Sequence, residues 1–169
     1  MAIDPAGPQG ENTGTAGVVA RPPLLFLAAI ILGFVIDHLL PLGFPISRIG
    51  LAHSISSAIA GAMLLIGLAL AIAGIRNFTQ AATPVPTNQP TRALVTTGVH
   101  GHTRNPIYLG MFLVYAGIGI AVRSPWILIL ALPLALAIRY GVVAREESYL
   151  ERRFPEAYGD YRSRVRRWL

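Results

Sequence analysis

The run NPIYLGMFLVYAGIGIAVRSPWILILALPLALAIRYGVVAREE, Asn105 to Glu147, decides the fold of this chain. It holds two apolar stretches, Ile107 to Val122 and Trp126 to Val143, parted by the turn residues Arg123, Ser124 and Pro125. Stretches this apolar, each near the length a helix needs to cross a hydrocarbon core, read as a hairpin of transmembrane helices. Pro106 suits the first turn of the first leg, where its missing N–H leaves no bond unmade. Trp126 stands where an interfacial aromatic belongs. The open end of the hairpin then carries Asn105 and Tyr108 on one leg and Glu146 on the other, a clamp for an active site.

Two further spans precede the hairpin. Leu24 to Leu40 is the first, with Asp37 and His38 as boundary residues that the interface can hydrate. Pro41, Gly43 and Pro45 break it and open a short loop through Arg48. Ile55 to Ile75 is the second, whose Ala58/Ala62 and Ala69/Ala73 pairs have a spacing that lets helices approach closely. Gly117 and Gly119 in the third span read as packing sites for the same reason. Arg76 and Asn77 end the second span, and Phe78 to Arg92, with Pro84, Pro86 and Pro90, is expected as an ordered, non-helical connector. Beyond Arg145, Leu150, Phe154, Tyr158 and Tyr161 recur among charges, which suggests an interfacial helix broken at Pro155 and lying on the membrane surface. The expectation is an all-α polytopic membrane protein: four transmembrane helices, a cytosolic connector and a C-terminal interfacial helix. Residues 1–21, rich in Gly, Pro, Ala and Thr, read as a disordered tail before a single domain over 22–169.

Composition agrees. The chain is 53% hydrophobic and 13% charged, far from the balance of soluble proteins. Its formal charge of +6 comes from arginine alone, and seven of the 14 arginines crowd into Arg145 to Leu169. That clustering suits a membrane edge rather than a nucleic-acid surface. With four spans the far-side loops hold only Arg48 and Arg123, so both termini are expected in the cytoplasm; a bacterial inner membrane is a separate expectation, not one that this count gives. The absence of cysteine excludes disulfides, thiolate metal ligands and a catalytic thiol.

Groups able to do chemistry are few. Adjacent carboxylates on a helix point about 100° apart, so of Glu146 and Glu147 one can face the hairpin interior, expected to be Glu146, while the other faces solvent or headgroups. Arg139 lies seven residues before Glu146, on the same face of a regular helix, as a substrate-binding group or a structural counter-ion. His100 and His102 form an HxH pair with no third His or Cys near, so no metal is expected there. Gly98, Gly101 and Gly110 permit close backbone approach to a ligand. No GxGxxG, phosphate loop or GxSxG elbow is present.

LVTTGVHGHTRNPIYLG (Leu94 to Gly110), a hydrophobic hairpin and then REESYLERRFPEAYGDYRSRVRRWL (Arg145 to Leu169) together resemble the membrane methyltransferases that include isoprenylcysteine carboxyl methyltransferase and the bacterial phospholipid methyltransferases. The resemblance covers about Arg76 to Leu169. It implies S-adenosylmethionine as methyl donor in a pocket at the cytosolic face, and a lipophilic, prenylated or phospholipid acceptor entering from the bilayer lipids. It further implies cofactor contacts at Leu94, Val95, His100, Asn105, Pro106, Tyr108 and Glu146. His100 and Asn105 stand where relatives acting on prenylated substrates have Tyr and His. The family's substrate-binding Arg falls at Val142, which leaves Arg139 or Arg145 for that role. Arg104 is expected to meet the donor's carboxylate. A carboxylate acceptor needs only positioning, whereas an ammonium acceptor needs a base, for which His100, His102 and Glu147 are candidates.

The leading expectation is therefore carboxyl O-methylation of an isoprenylcysteine-like or other lipophilic acid, with N-methylation of a phospholipid ethanolamine as the alternative. Two readings from other classes stand beside it. One is a sterol-reductase-like enzyme using NADPH, whose family shares the aromatic, basic C-terminal pattern. The other is a non-enzymatic membrane protein.

Overall fold

The computed structural model describes residues 16–44, 50–85 and 89–169. Most of the expected tail, Arg48 in the first loop and Pro86 in the connector lie outside them. The described residues hold six α-helices and no strand: α1 Pro22–Leu39, α2 Leu51–Gln80, α3 Pro106–Ala121, α4 Pro125–Ile138, α5 Ala144–Arg153 and α6 Pro155–Arg164. A 3-10 turn spans Gly98–Gly101, and a π turn, Arg139–Val143, joins α4 to α5 without a break.

Proline opens α1, α3, α4 and α6, as its fixed φ and missing N–H allow. The hairpin turn is as tight as its sequence predicts: Arg123 takes a left-handed φ of 58°, and Ser124 caps α4 by accepting from the Ile127 N–H at 3.1 Å. Across the far end, the Trp126 indole donates to the Leu40 carbonyl at 2.7 Å. A core of Phe26, Tyr115, Ile127, Leu134, Ile138, Val142 and Val143 joins α1 to the hairpin.

Three helices, Pro22–Leu39, Leu51–Gln80 and the continuous Pro125–Arg153, are long and apolar enough to cross a membrane. The third expected span is apolar but only 16 residues long, roughly 24 Å as a helix. Outward-facing Leu65 (72% exposed) and Leu132 (69%) show why such helices suit lipid.

The seam between α2 and α3 differs from the expected one. Ala58, Ala62 and Ala69 are exposed, and the small residues that meet α3 are Ala60, Gly67, Ala71 and Gly74. An 18-residue apolar window is nearly uniform around the helix, so sequence could not choose the face. The approach is closest at Gly67 and Gly110: a Cβ on either would lie 2.6 or 2.5 Å from the other's carbonyl oxygen. Gly117, against Ala60 and Leu64, and Gly119, against Ile127 and Leu128, are packing sites as read. Gly110→Ala is expected to lower unfolding stability by about 1–3 kcal/mol through overpacking. Thermal unfolding in detergent measures it, and an unchanged midpoint would contradict this helix contact.

Three local differences set up the site. First, α2 does not end at Arg76 and Asn77 but runs to Gln80, which holds Asn77 and Phe78 on a helix instead of in the connector. Second, the π turn widens α4–α5 by one residue and so turns everything after it by about 100°. Arg139, expected on the face of Glu146, is exposed beside the Tyr140 ring, with its guanidinium carbon 5.5 Å from the ring centre. Third, the C-terminal segment bends back at Phe154 and packs on the Gly98–Asn105 loop, burying Tyr158 and Tyr161, where a surface-lying helix was expected. Of the tail, the described residues 16–21 lie on the π turn: Val19 N–H donates to Gly141 O at 3.3 Å, and Arg145 donates to Gly17 O at 2.7 Å.

Candidate active site

A cavity of about 860 Å³ opens where the two helix pairs meet their loops, within the 300–1,000 Å³ range of about one small-molecule site. Its wall is mostly apolar: Ala71, Ile75 and Phe78 from α2, Met111 from α3 and Leu150 from α5. The connector forms one side. Thr83 Oγ1 accepts from the N–H groups of Arg92 (2.8 Å) and Ala93 (3.3 Å), closing the connector on itself. Tyr149 of α5 accepts from Thr91 N–H at 3.1 Å, and Arg153 donates to Thr91 O at 2.8 Å, so the end of the connector at Thr91 is clipped to α5.

The two adjacent carboxylates diverge as helix geometry requires. Glu146 turns inward and accepts from the Tyr108 hydroxyl at 2.6 Å. No cation pairs with it among the described residues. Glu147 points the other way and is held by two arginines. Arg104 donates to its Oε1 at 2.9 Å, and Arg167 grips both oxygens at 3.1 and 2.5 Å. With Glu147 and Arg104 side chains only 12% and 9% exposed, this is a largely buried clasp. It leaves Arg104 Nε buried with no acceptor.

The last residues complete the clasp. The Arg166 carbonyl accepts from Arg104 N–H at 3.0 Å, and the Arg167 carbonyl accepts from Thr103 Oγ1 (3.3 Å) and Asn105 Nδ2 (2.9 Å). The Asn105 amide is thus bonded to the C-terminal segment at the edge of the cavity. Tyr161 donates to the His100 carbonyl at 2.7 Å. Burial pushes the Tyr158 and Tyr161 hydroxyls up to about 12, with Glu147 adding to the first, so both stay neutral donors.

His100 is 4% exposed, and burial lowers its pKa to about 4. It is neutral at pH 7. His102, two residues on, is exposed and does not line the cavity. Among the described residues no group of three or more His, Cys, Asp or Glu gathers to hold a metal.

Leu94, Val95, His100, Arg104, Asn105, Pro106, Tyr108, Glu146 and Glu147 all line the one cavity. Arg139 and Arg145 do not; both point away and are exposed. Sequence reasoning missed Asn77 and Phe78, which support His100, and Arg167, which binds Glu147. Helical periodicity past Arg76 was the available signal for the first two. Nothing local marks Arg167 among the C-terminal arginines.

A family model described as phospholipid methyltransferase matches residues 55–157. That is more than half of the chain, including every span after the first, the cavity loop and the carboxylate pair, and the chain belongs to this family of integral-membrane methyltransferases. Neither the search of curated proteins nor that of solved structures returned a match.

Proposed function

We propose that this member of the phospholipid methyltransferase family transfers a methyl group from S-adenosylmethionine to a lipophilic carboxylate. The observation that carries the cofactor reading is Glu146, a partly buried carboxylate in the cavity wall that a tyrosine holds and that no cation among the described residues pairs with. A charge so placed in a poorly hydrated site favours a cationic ligand. The unsatisfied Arg104 Nε supports the same ligand, because the donor's amino-acid end carries a carboxylate beside its cations. When bound, the cofactor supplies a methyl group on a sulfonium cation.

The chain's own residues then have these parts. Glu146 faces positive charge, and Tyr108 fixes its orientation. Leu94, Val95, His100, Asn105 and Pro106 contribute the loop wall, and the apolar lining excludes water. Arg104 is held in place by Glu147. Holding nucleophile and methyl carbon in line is the main gain such a site can give.

The choice of a carboxylate acceptor rests on the bases. His100 has its Nδ1 engaged by Asn77 at 3.3 Å, Glu147 is bound by two guanidiniums, and His102 is outside the cavity. A carboxylate is already ionised and needs none of them. The second reading, N-methylation of a phospholipid amine, is favoured by the description of the family; in it Glu146 takes the proton. With Arg139 and Arg145 out of the cavity, neither is assigned to the acceptor. The α3 helix is read as a fourth span, short and flanked by the hairpin turn, with both termini and the cavity at the cytoplasmic face of a bacterial inner membrane.

The test uses the full chain purified in detergent. Calorimetry should detect S-adenosylmethionine and no NADPH, and binding of NADPH alone would move the reductase reading to first place. Methyl transfer from radiolabelled donor is then compared for an S-prenylated cysteine and phosphatidylethanolamine. Product label released by mild alkali marks an ester, and alkali-stable label on the phospholipid would replace the carboxylate reading with the amine one.

A further inference from the structure

The side-chain amide of Asn77 touches two groups at once. Its Nδ2 donates to the Thr97 carbonyl at 2.8 Å and lies 3.3 Å from His100 Nδ1. A carbonyl oxygen can only accept, so the amide's orientation is set: nitrogen, not oxygen, faces the turn. The second N–H of that same nitrogen then meets His100 Nδ1, which must be the bare, accepting nitrogen of a neutral ring. The proton of the ring is left on Nε2.

The turn is built around this amide. Gly98 has a left-handed φ of 60°, and a Cβ there would sit 2.5 Å from Asn77 Nδ2, so only glycine admits the side chain. Phe78, the next residue on α2, packs edge-on to the His100 ring with centroids 5.1 Å apart. Tyr161 of α6 holds the His100 carbonyl from the other side. Among the described residues Asn77, Phe78 and Tyr161 are those with a side-chain hydrogen bond or ring contact to this histidine, and none is charged. Burial alone lowers its pKa, so the neutral ring persists across physiological pH. His100 lines the cavity, and its Nε2 has no partner among the described residues.

We propose that Asn77 is a positioning residue that fixes His100 in its Nε2–H form, so that the ring offers the cavity a neutral hydrogen-bond donor for an uncharged acceptor atom of the bound cofactor. The acceptor is a ring nitrogen or hydroxyl oxygen, because this stretch of wall, with Phe78, Leu94 and Val95, carries no charge while Arg104 and Glu146 serve the charged end. The second half of the inference rests on the cofactor reading above; the first does not.

Two measurements test it. In the full chain, labelled with 15N-histidine, the His100 signals are identified by their loss in His100→Gln. An unprotonated Nδ1 and a protonated Nε2 are expected. A protonated Nδ1, or averaging between the two forms, overturns the proposal whether or not any ligand binds. The second measurement is the pH profile of S-adenosylmethionine binding to Asn77→Asp. A carboxylate beside Nδ1 draws the proton there and strips Nε2 of its hydrogen, so affinity at about pH 8 should fall roughly 10-fold, one hydrogen bond's worth. Acidification to about pH 6 adds the second proton at Nε2 and should restore much of the loss. A loss equal at both pH values would mean that Asn77 only supports the turn, and would overturn its role toward the ligand. Absence of binding to the wild type defeats the cofactor reading alone, and the wild-type spectrum still decides the tautomer.

Discussion

Glu146→Gln is expected to weaken S-adenosylmethionine binding by roughly 30-fold to several thousand-fold while making the ligand-free protein more resistant to heat. The two effects have opposite sign because the carboxylate does opposite things in the two states. Without a ligand the carboxylate sits in the cavity wall with one hydroxyl for company, and burial raises its pKa to about 7, so its ionised form is costly there; removing the charge relieves that cost, a gain of about the 0.5–2 kcal/mol that single stabilising changes commonly give. With a cationic ligand the same charge is compensated. Removing one partner of a hydrogen-bonded, desolvated charge pair costs about 2–5 kcal/mol, or roughly 30-fold to several thousand-fold in affinity. The substitution isolates charge from shape, since the Gln carbonyl still accepts from Tyr108. Calorimetry and thermal unfolding on the same preparation read both effects. A parallel fall in stability and affinity would make Glu146 a structural residue, and unchanged affinity would remove the cation-binding role altogether.

Much of this site was legible in the chain because its residues lie in two short stretches whose ends a helical hairpin must bring together. Tyr108 and Glu146 are separated by 38 positions, yet two legs of similar length and a three-residue turn fix their meeting. What sequence could not show was register. Arg139 and Glu146 share a face only in a regular helix, and the π turn between them moves Arg139 outward. No residue type marks such a turn, since Arg139 to Val143 reads as ordinary helix end. The α2–α3 seam was misread for a related reason: in a helix apolar all round, small residues on several faces compete, and Gly67 and Gly74 won over the alanine pairs because they meet Gly110 and Ile107 most closely. The clasp was hidden because it depends on a chain reversal at Phe154 that an amphipathic pattern does not specify. From spacing alone, the tyrosines Tyr158 and Tyr161 fit a membrane surface equally well.

Glu147→Ala should be the most destabilising change at the site, and it should act through folding rather than chemistry. Glu147 holds Arg104 and Arg167 at once, and with Arg104 only 9% exposed, its removal leaves a nearly buried guanidinium whose remaining bond is to the Arg162 carbonyl. Breaking a buried pair in this way costs about 3–5 kcal/mol, against about 0–1 kcal/mol for an exposed pair such as Arg162 with Glu151. The loss spreads, because Arg167 also anchors the C-terminal segment through carbonyl bonds to Thr103 and Asn105, and that segment covers the cavity loop. Thermal unfolding should therefore shift down strongly, and limited proteolysis should cut the C-terminal segment of the variant before that of the wild type. Arg167→Ala should do less, since Arg167 is already 30% exposed and Arg104 would keep its carboxylate. Adjacent glutamates would then answer to opposite tests: Glu146→Gln hardens the empty protein and empties the site, whereas Glu147→Ala loosens the protein and loses binding only as a result. A Glu147 variant that unfolds like wild type yet fails to methylate would reverse this assignment and give Glu147 a direct part in the reaction.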